Sequence, residues 1–249
     1  MSLLNKKGYR IVFLATFIFG IYIETIIFFY FQTREINELL INDFKVVVAL
    51  KKNIDKTKII DSLSVIKGVG KVDYFTSDDM LKKLDSEDKE LSLSIRSMPV
   101  NPVPDIVEIS PTQTVLGNID GIVEEISKLD GIMDIRYKPD ELVAIMHTLF
   151  YSKFLFLIIG LSLLTMVVIF FSGIYHVGVN NFFSSLKESL KWFINGILGV
   201  LTAILCVYII IYPIKYISAV WYWPSVVWHL FALISGGVMG WVLYQWKKN

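Results

Sequence analysis

The stretch FLFLIIGLSLLTMVVIFFSGI, Phe154 to Ile174, decides how this sequence is read. It carries no charge over twenty-one residues, and a helix of roughly 20 apolar residues is what a bilayer's hydrocarbon core requires. Working outward, three more runs have the same character: Ile11–Phe31 upstream, and Trp192–Tyr212 and Val226–Trp246 downstream. Four transmembrane helices are expected. The hydrophobic fraction is 54% of 249 residues without counting glycine, whereas soluble domains reach about 45–50% with glycine included. A purely soluble enzyme and a disordered chain are both excluded. The first run is too long for a secretory signal, and Phe29-Tyr30-Phe31-Gln32 offers no small-residue cleavage site, so a retained signal anchor is expected.

The net charge of +1 hides a division. Between Gln32 and Leu149 there are 15 Lys/Arg against 21 Asp/Glu, while the remainder has nine against two. An acidic block therefore interrupts a basic membrane block. Lys6, Lys7 and Arg10, then Lys187 and Lys191, then Lys247 and Lys248 all fall on one side of an even-numbered bundle, and only Lys153 and Lys215 lie close to the membrane on the other. The positive-inside rule then puts residues 1–10, 175–191 and 247–249 in the cytoplasm, with 32–149 and the loop 213–225 outside. Tyr216, Trp221, Tyr222, Trp223 and Trp228 would anchor the outer edge, and Tyr244 and Trp246 the inner.

The acidic block reads as two related halves. In the first, a strand at Phe44–Leu50 leads to Ile59, Leu63 and Ile66 at helical spacing and a second strand at Gly68–Tyr74. In the second, the strand Ile106–Ile109 precedes Ile119, Val123, Ile126 and Leu129, and Gly131–Tyr137 closes it. Both closing strands begin at glycine and end at tyrosine, which points to internal duplication. The expected fold is an α-helical membrane protein with an α+β extracytoplasmic domain of two ferredoxin-like βαβ units. Between the halves, residues 77–98 form a helical lobe carrying Met80, Leu81, Leu84, Leu91, Leu93, Ile95 and Met98. These side chains either cover the sheet or present an adaptable partner-binding surface. Ile36, Leu39 and Leu40 on one side, and Leu142, Ile145, Met146 and Leu149 on the other, continue the flanking spans outward without a Gly/Ser linker, so two stiff stalks are expected.

Catalytic chemistry is missing from the pattern. No G-x-x-x-x-G-K-[ST], G-x-S-x-G or H-E-x-x-H occurs. Cys206 stands alone, and His147, His176 and His229 lie far apart, so no metal site, no cofactor and no enzyme activity are expected. Nothing points to nucleic acid. Asp78-Asp79 and Glu124-Glu125 read as solvated helix faces. Glu24 is the one ionisable group inside an apolar span, roughly 10 Å below its outer end. It either bonds His229 or a nearby tyrosine, or snorkels or packs as a protonated acid. Gly236-x-x-x-Gly240, with Gly196 and Gly199, allows close helix approach, within the chain or in a homodimer.

One segment carries a resemblance. In Met98-Pro99-Val100-Asn101-Pro102-Val103-Pro104-Asp105, the prolines at 99, 102 and 104 forbid helix and hold an extended path into the strand Ile106–Ile109. A proline–asparagine–proline run entering an alternating strand resembles the FtsX family, permease-like cell-division proteins related to ABC transporters. The layout of one span, an outer domain and three further spans is similar to that family, and Gly131–Tyr137 and Phe193–Gly199 add weaker likeness. The resemblance implies a bacterial inner-membrane protein of the division site. It would pass conformational signals from an FtsE-like cytoplasmic ATPase to a peptidoglycan hydrolase or its activator outside. FtsX proteins usually meet that ATPase through an amphipathic helix ending in a small-residue pair. Here the loop is short and lacks the pair. Either a shortened helix docks, with Phe182, Phe183 and Leu186 as its apolar face beside Lys187 and Glu188, or the coupling is lost. An ATP-independent membrane receptor or scaffold is the alternative.

Overall fold

The computed structural model describes residues 3–248 other than Asn53 and Ala219, with side chains from Lys7 onward. Met1, Ser2 and the Lys6 side chain of the amino-terminal segment, and Asn249 of the tail, lie outside the described residues. In chain order the elements are α1 (Leu3–Asp43), β1 (Val46–Leu50), α2 (Lys56–Val65), β2 (Val69–Phe75), α3 (Ser77–Glu87), α4 (Lys89–Arg96), β3 (Ile106–Pro111), α5 (Ile119–Ser127), β4 (Ile132–Arg136), α6 (Pro139–Val177), α7 (Phe182–Glu188), α8 (Leu190–Ile211) and α9 (Val226–Lys248). They divide into two compact units, Asn37–His147 and Met1–Ile36 with Thr148–Asn249.

In the Asn37–His147 unit, Val46, Val48 and Leu50 are buried while Val47 and Ala49 are partly exposed, the period-two signature of a strand covered on one face. From Val107 to Pro111, β3 alternates in the same way. The four strands form one sheet in the order β2-β3-β1-β4, and every hydrogen-bonded pair is antiparallel. At its centre Val48 faces Val107 on one side and Ile135 on the other. The two βαβ halves expected from the duplication share this one sheet. The halves interlock, because β3 of the second half lies between β1 and β2 of the first. Two strands alone would leave both edges unpaired and too little covered surface to stand independently.

The duplication has a backbone counterpart. Gly68 and Gly131, which lead into β2 and β4, have φ of +102° and +99°, a region that L side chains avoid. A Cβ at Gly68 would also meet Val115, and one at Gly131 would meet Ile54 and Ile59. Helix α2 begins at Asp55, whose carboxylate accepts from the Thr57 and Lys58 amides, and buries Ile59 and Leu63. Helix α5 buries Ile119, Ile122 and Ile126. Packing sets α2 on β2 and α5 on β4. Helix α3 starts with a capping box between Thr76 and Asp79 and packs on α4 and β2.

The other unit contains four helices long and apolar enough to cross a membrane: α1, α6, α8 with the turn after it, and α9. Ile23 and Ile27 of α1, Ile159 of α6, Val200 of α8 and Ala232 of α9 share one core cluster. The tightest packing is between α8 and α9. The most apolar window of α6 is only 11% covered by protein, so most of this helix presents Leu, Val and Phe outward. Helices α1 and α6 run to 41 and 39 residues, about twice what a bilayer core needs. The flanks Gln32–Asp43 and Pro139–Lys153 are helical because no proline or glycine follows Pro139 at the first position, where proline is tolerated.

Candidate functional site

The lobe divides the apolar residues singled out in the sequence. Leu81 is buried, and Met80, Leu84 and Ile95 are half-buried. Leu91, Leu93 and Met98 remain 48%, 56% and 48% exposed, with Val100 open beside them. Residues two apart on a helix face different sides, so α4 is apolar around more of its surface than its neighbour α3 can cover. Ser92 takes the buried position instead, with its hydroxyl turned to the Leu81 carbonyl at 3.5 Å. The lobe thus has both a pinned side and an unburied apolar side.

The lobe is held to the sheet at Asp105, the last residue of the proline-rich strut. The Tyr74 hydroxyl donates to Asp105 Oδ2, the Ser77 amide donates to Oδ1 at 2.7 Å, and Lys56 Nζ lies 3.2 Å from Oδ2. The same ammonium sits 4.9 Å over the Tyr74 ring. Burial alone would raise the Asp105 carboxyl, but the bonds from Tyr74, Ser77 and Lys56 outweigh it and hold the group below the ordinary aspartate range. Burial and the bond to Asp105 push the Tyr74 hydroxyl up. Asn101 closes the strut: its Oδ1 accepts from the Val103 amide at 3.0 Å, and its Nδ2 donates to Ser77 Oγ. Pro99, Pro102 and Pro104 flank it in a segment without regular secondary structure.

Among the membrane helices, Glu24 and His229 come together. Glu24 is 1% exposed, and its Oε2 lies 2.9 Å from His229 Nδ1. His229 Nε2 lies 3.1 Å from the Tyr208 hydroxyl, making a three-residue chain across α1, α9 and α8. Among the described residues, Glu24 Oε1 has no hydrogen-bond partner, and neither does the buried Trp221 indole N–H. Tyr208 was not singled out in the sequence, and Trp221 was named there only as an aromatic anchor. A tyrosine toward the carboxy-terminal end of the third apolar helix, at the level of Glu24 and His229, is the signal that could have found Tyr208.

Helix α7 is short, and much of it is taken up inside the unit. Phe182 packs on Phe170 and Trp241 with ring centroids 6.0 and 5.3 Å away. Buried Ser185 Oγ accepts from Trp241 Nε1 at 3.1 Å and from Gln245 Nε2 at 2.7 Å. Glu188 accepts from Lys248 at 2.9 Å and from the Tyr244 hydroxyl at 2.8 Å, and these bonds, Lys248 foremost, hold its carboxyl below the usual range. Leu186 is half-buried, leaving Lys187 exposed and Phe183 80% exposed.

The small residues make close approaches within the chain. A Cβ on Gly236 would meet Val200 and the Gly196 backbone, and one on Gly240 would meet the Trp192 backbone. Gly196 faces Gly236 and Gly237 in return, while Gly199 lies against Phe13 and Thr16 of α1. Both glycines of the Gly236-x-x-x-Gly240 stripe are thus in contact with α8. Among the described residues, no group of three His, Cys, Asp or Glu could hold a metal ion.

Comparison with known proteins centres on the sheet domain and its lobe. The family described as FtsX extracellular domain matches residues 43–149. A crystal structure of extracellular domain 1 of FtsX from S. pneumoniae, in complex with undecyl-maltoside, is 19% identical and covers 38% of this chain and 94% of that one, with a TM-score of 0.32. A solution structure of the large extracellular loop of FtsX in Streptococcus pneumoniae is 18% identical and covers 38% and 98%, with a TM-score of 0.31. No curated protein matches the chain. Residues 43–149 of this chain are therefore similar to the FtsX extracellular domain.

Proposed function

We propose that this chain is a transmembrane transmitter in cell division. An FtsE-like cytoplasmic ATPase would change the arrangement of the four spans, and the sheet domain outside would engage a cell-wall hydrolase or its activator. Both termini would lie in the cytoplasm of a bacterial inner membrane. The observation that carries this reading is the unburied apolar side of the lobe, Leu91, Leu93 and Met98, in a domain of the FtsX extracellular family. Large apolar side chains left exposed on one short lobe favour an interaction surface. Two-residue connections support transmission: Phe44 and Lys45 separate α1 from β1, and Tyr137 and Lys138 separate β4 from α6. A coupling free energy of about 1–3 kcal/mol is enough to bias a two-state element. A photo-crosslinking residue placed at Leu93 in cells tests the outer half of the reading, with the captured protein identified by mass spectrometry. A hydrolase or its activator supports it, and a lobe that captures neither contradicts it.

A second reading, an ATP-independent receptor or scaffold, is favoured by α7. With Phe182, Ser185 and Glu188 bonded inside the unit, Phe183 and Lys187 are the remaining open contacts of the helix. Affinity capture with the full chain, with and without nucleotide, separates the two. Recovery of an ATPase supports the transmitter, and its absence in both conditions supports the receptor.

A further inference from the structure

A cleft of about 350 Å³ opens where the end of β1, the start of α2 and the proline-rich strut converge. Lys51, Lys52 and Lys56 stand around it, together with Ser77, Asn101 and Asp105. Its one carboxylate is already taken, since Asp105 accepts from Tyr74, from the Ser77 amide and from Lys56. Lys51 and Lys52 are exposed and have no carboxylate partner among the described residues. The Lys52 ammonium reaches only the Asn101 carbonyl, at 3.4 Å. Ser77 Oγ accepts from Asn101, which leaves its own O–H free to donate. The first amides of α2 are satisfied by Asp55, so the positive character of the cleft comes from the ammonium groups. This concentration runs against its surroundings, a segment with six more acids than bases from Gln32 to Leu149.

We infer that this cleft binds a small anionic group carrying two or more charges, of the phosphoryl or polycarboxylate class. Ammonium groups act as compact point charges toward such oxygens, and the volume suits a small molecule. The bound group would draw Lys51 and Lys52 toward the Ser77–Asn101 pair, joining the sheet to the first residue of the lobe. Neither reading of the whole chain is needed for this inference.

The test is calorimetric titration of the full chain, in nanodiscs of neutral phosphatidylcholine, with inorganic pyrophosphate and separately with citrate. Saturable binding by at least one probe is expected, weakening as salt is raised. The double substitution Lys51→Gln/Lys52→Gln should weaken it by roughly tenfold or more, as expected for losing two charge-assisted contacts. Lys67→Gln/Lys71→Gln, outside the cleft, should leave it unchanged, and circular dichroism of each variant checks folding. Competition by cardiolipin vesicles, whose headgroup carries two phosphates, would identify a lipid headgroup as the source, whereas its absence would identify a free solute. No saturable binding by either probe, or equal binding by a folded Lys51→Gln/Lys52→Gln variant, overturns the inference.

Discussion

Removing His229 while keeping Glu24 should cost the membrane unit more than the lost hydrogen bond. Glu24 is 1% exposed, and its Oε1 is already unpartnered. His229→Ala would leave both carboxyl oxygens without a partner. A hydrogen bond between membrane helices averages about 0.6 kcal/mol, whereas an orphaned buried polar group costs about 1–3 kcal/mol. The larger figure applies to His229→Ala. Replacing both residues together, Glu24→Leu/His229→Leu, removes the polar pair and its desolvation cost at once, so the double variant should recover most of the stability. The assay is unfolding of the purified chain in mixed micelles by rising dodecyl sulfate, followed by the fluorescence of Trp221, Trp223 and Trp228. A strongly non-additive cycle is predicted, with the double variant more stable than His229→Ala. Additive losses, or a His229→Ala variant within 0.5 kcal/mol of the parent (about the scatter of neutral surface substitutions), would refute the reasoning.

Asp105→Asn should loosen the lobe by roughly 1–3 kcal/mol at neutral pH, seen as faster hydrogen exchange at the Ser77 amide. Because the Asp105 carboxyl is held below its ordinary value, its contribution is full above an unfolded pKa of about 3.9 and is lost as pH falls through the folded value. The difference between variant and parent should therefore vanish in acid. Gly196→Ala would drive a Cβ into the Gly236 backbone and should destabilise the unit by roughly 1–3 kcal/mol. Gly160→Ala, with nothing within 4 Å, should be neutral or stabilising. Leu91→Glu/Met98→Glu should leave the domain's melting temperature nearly unchanged and abolish crosslinking from position 93 to the outer partner. A domain that unfolds instead would make these residues core.

The membrane helices were legible because a run such as Phe154–Ile174 has only one stable placement, and length alone settles it. Their outward continuation was legible as well: Ile36, Leu39 and Leu40, and Leu142, Ile145, Met146 and Leu149, keep helical spacing with no breaker among them, and α1 and α6 run through both stretches. The duplicated halves were legible from glycine and tyrosine at matching places, and the positive φ of Gly68 and Gly131 supplies the physical reason. How the halves join was not legible. Alternation in Val46–Leu50 and Ile106–Pro111 says that each strand has a covered face, but the central pairing between β1 and β3 is non-local and leaves no period in the sequence. The lobe shows the same limit: Leu81 and Leu91 look alike as letters, and only the presence of one neighbouring helix decides which is covered. The polar cluster at Glu24 required knowing which turns of three separate helices lie at one depth, so His229 could be named while Tyr208 could not.

The most direct test is labelling of single cysteines by a membrane-impermeant maleimide in intact cells. Asp78→Cys and Lys187→Cys would each be made in a Cys206→Ser background, with permeabilised cells as the reference. The account predicts that Cys at position 78 is labelled in intact cells and that Cys at 187 reacts only after permeabilisation. Equal reactivity of the two in intact cells, or the reverse order, would contradict it.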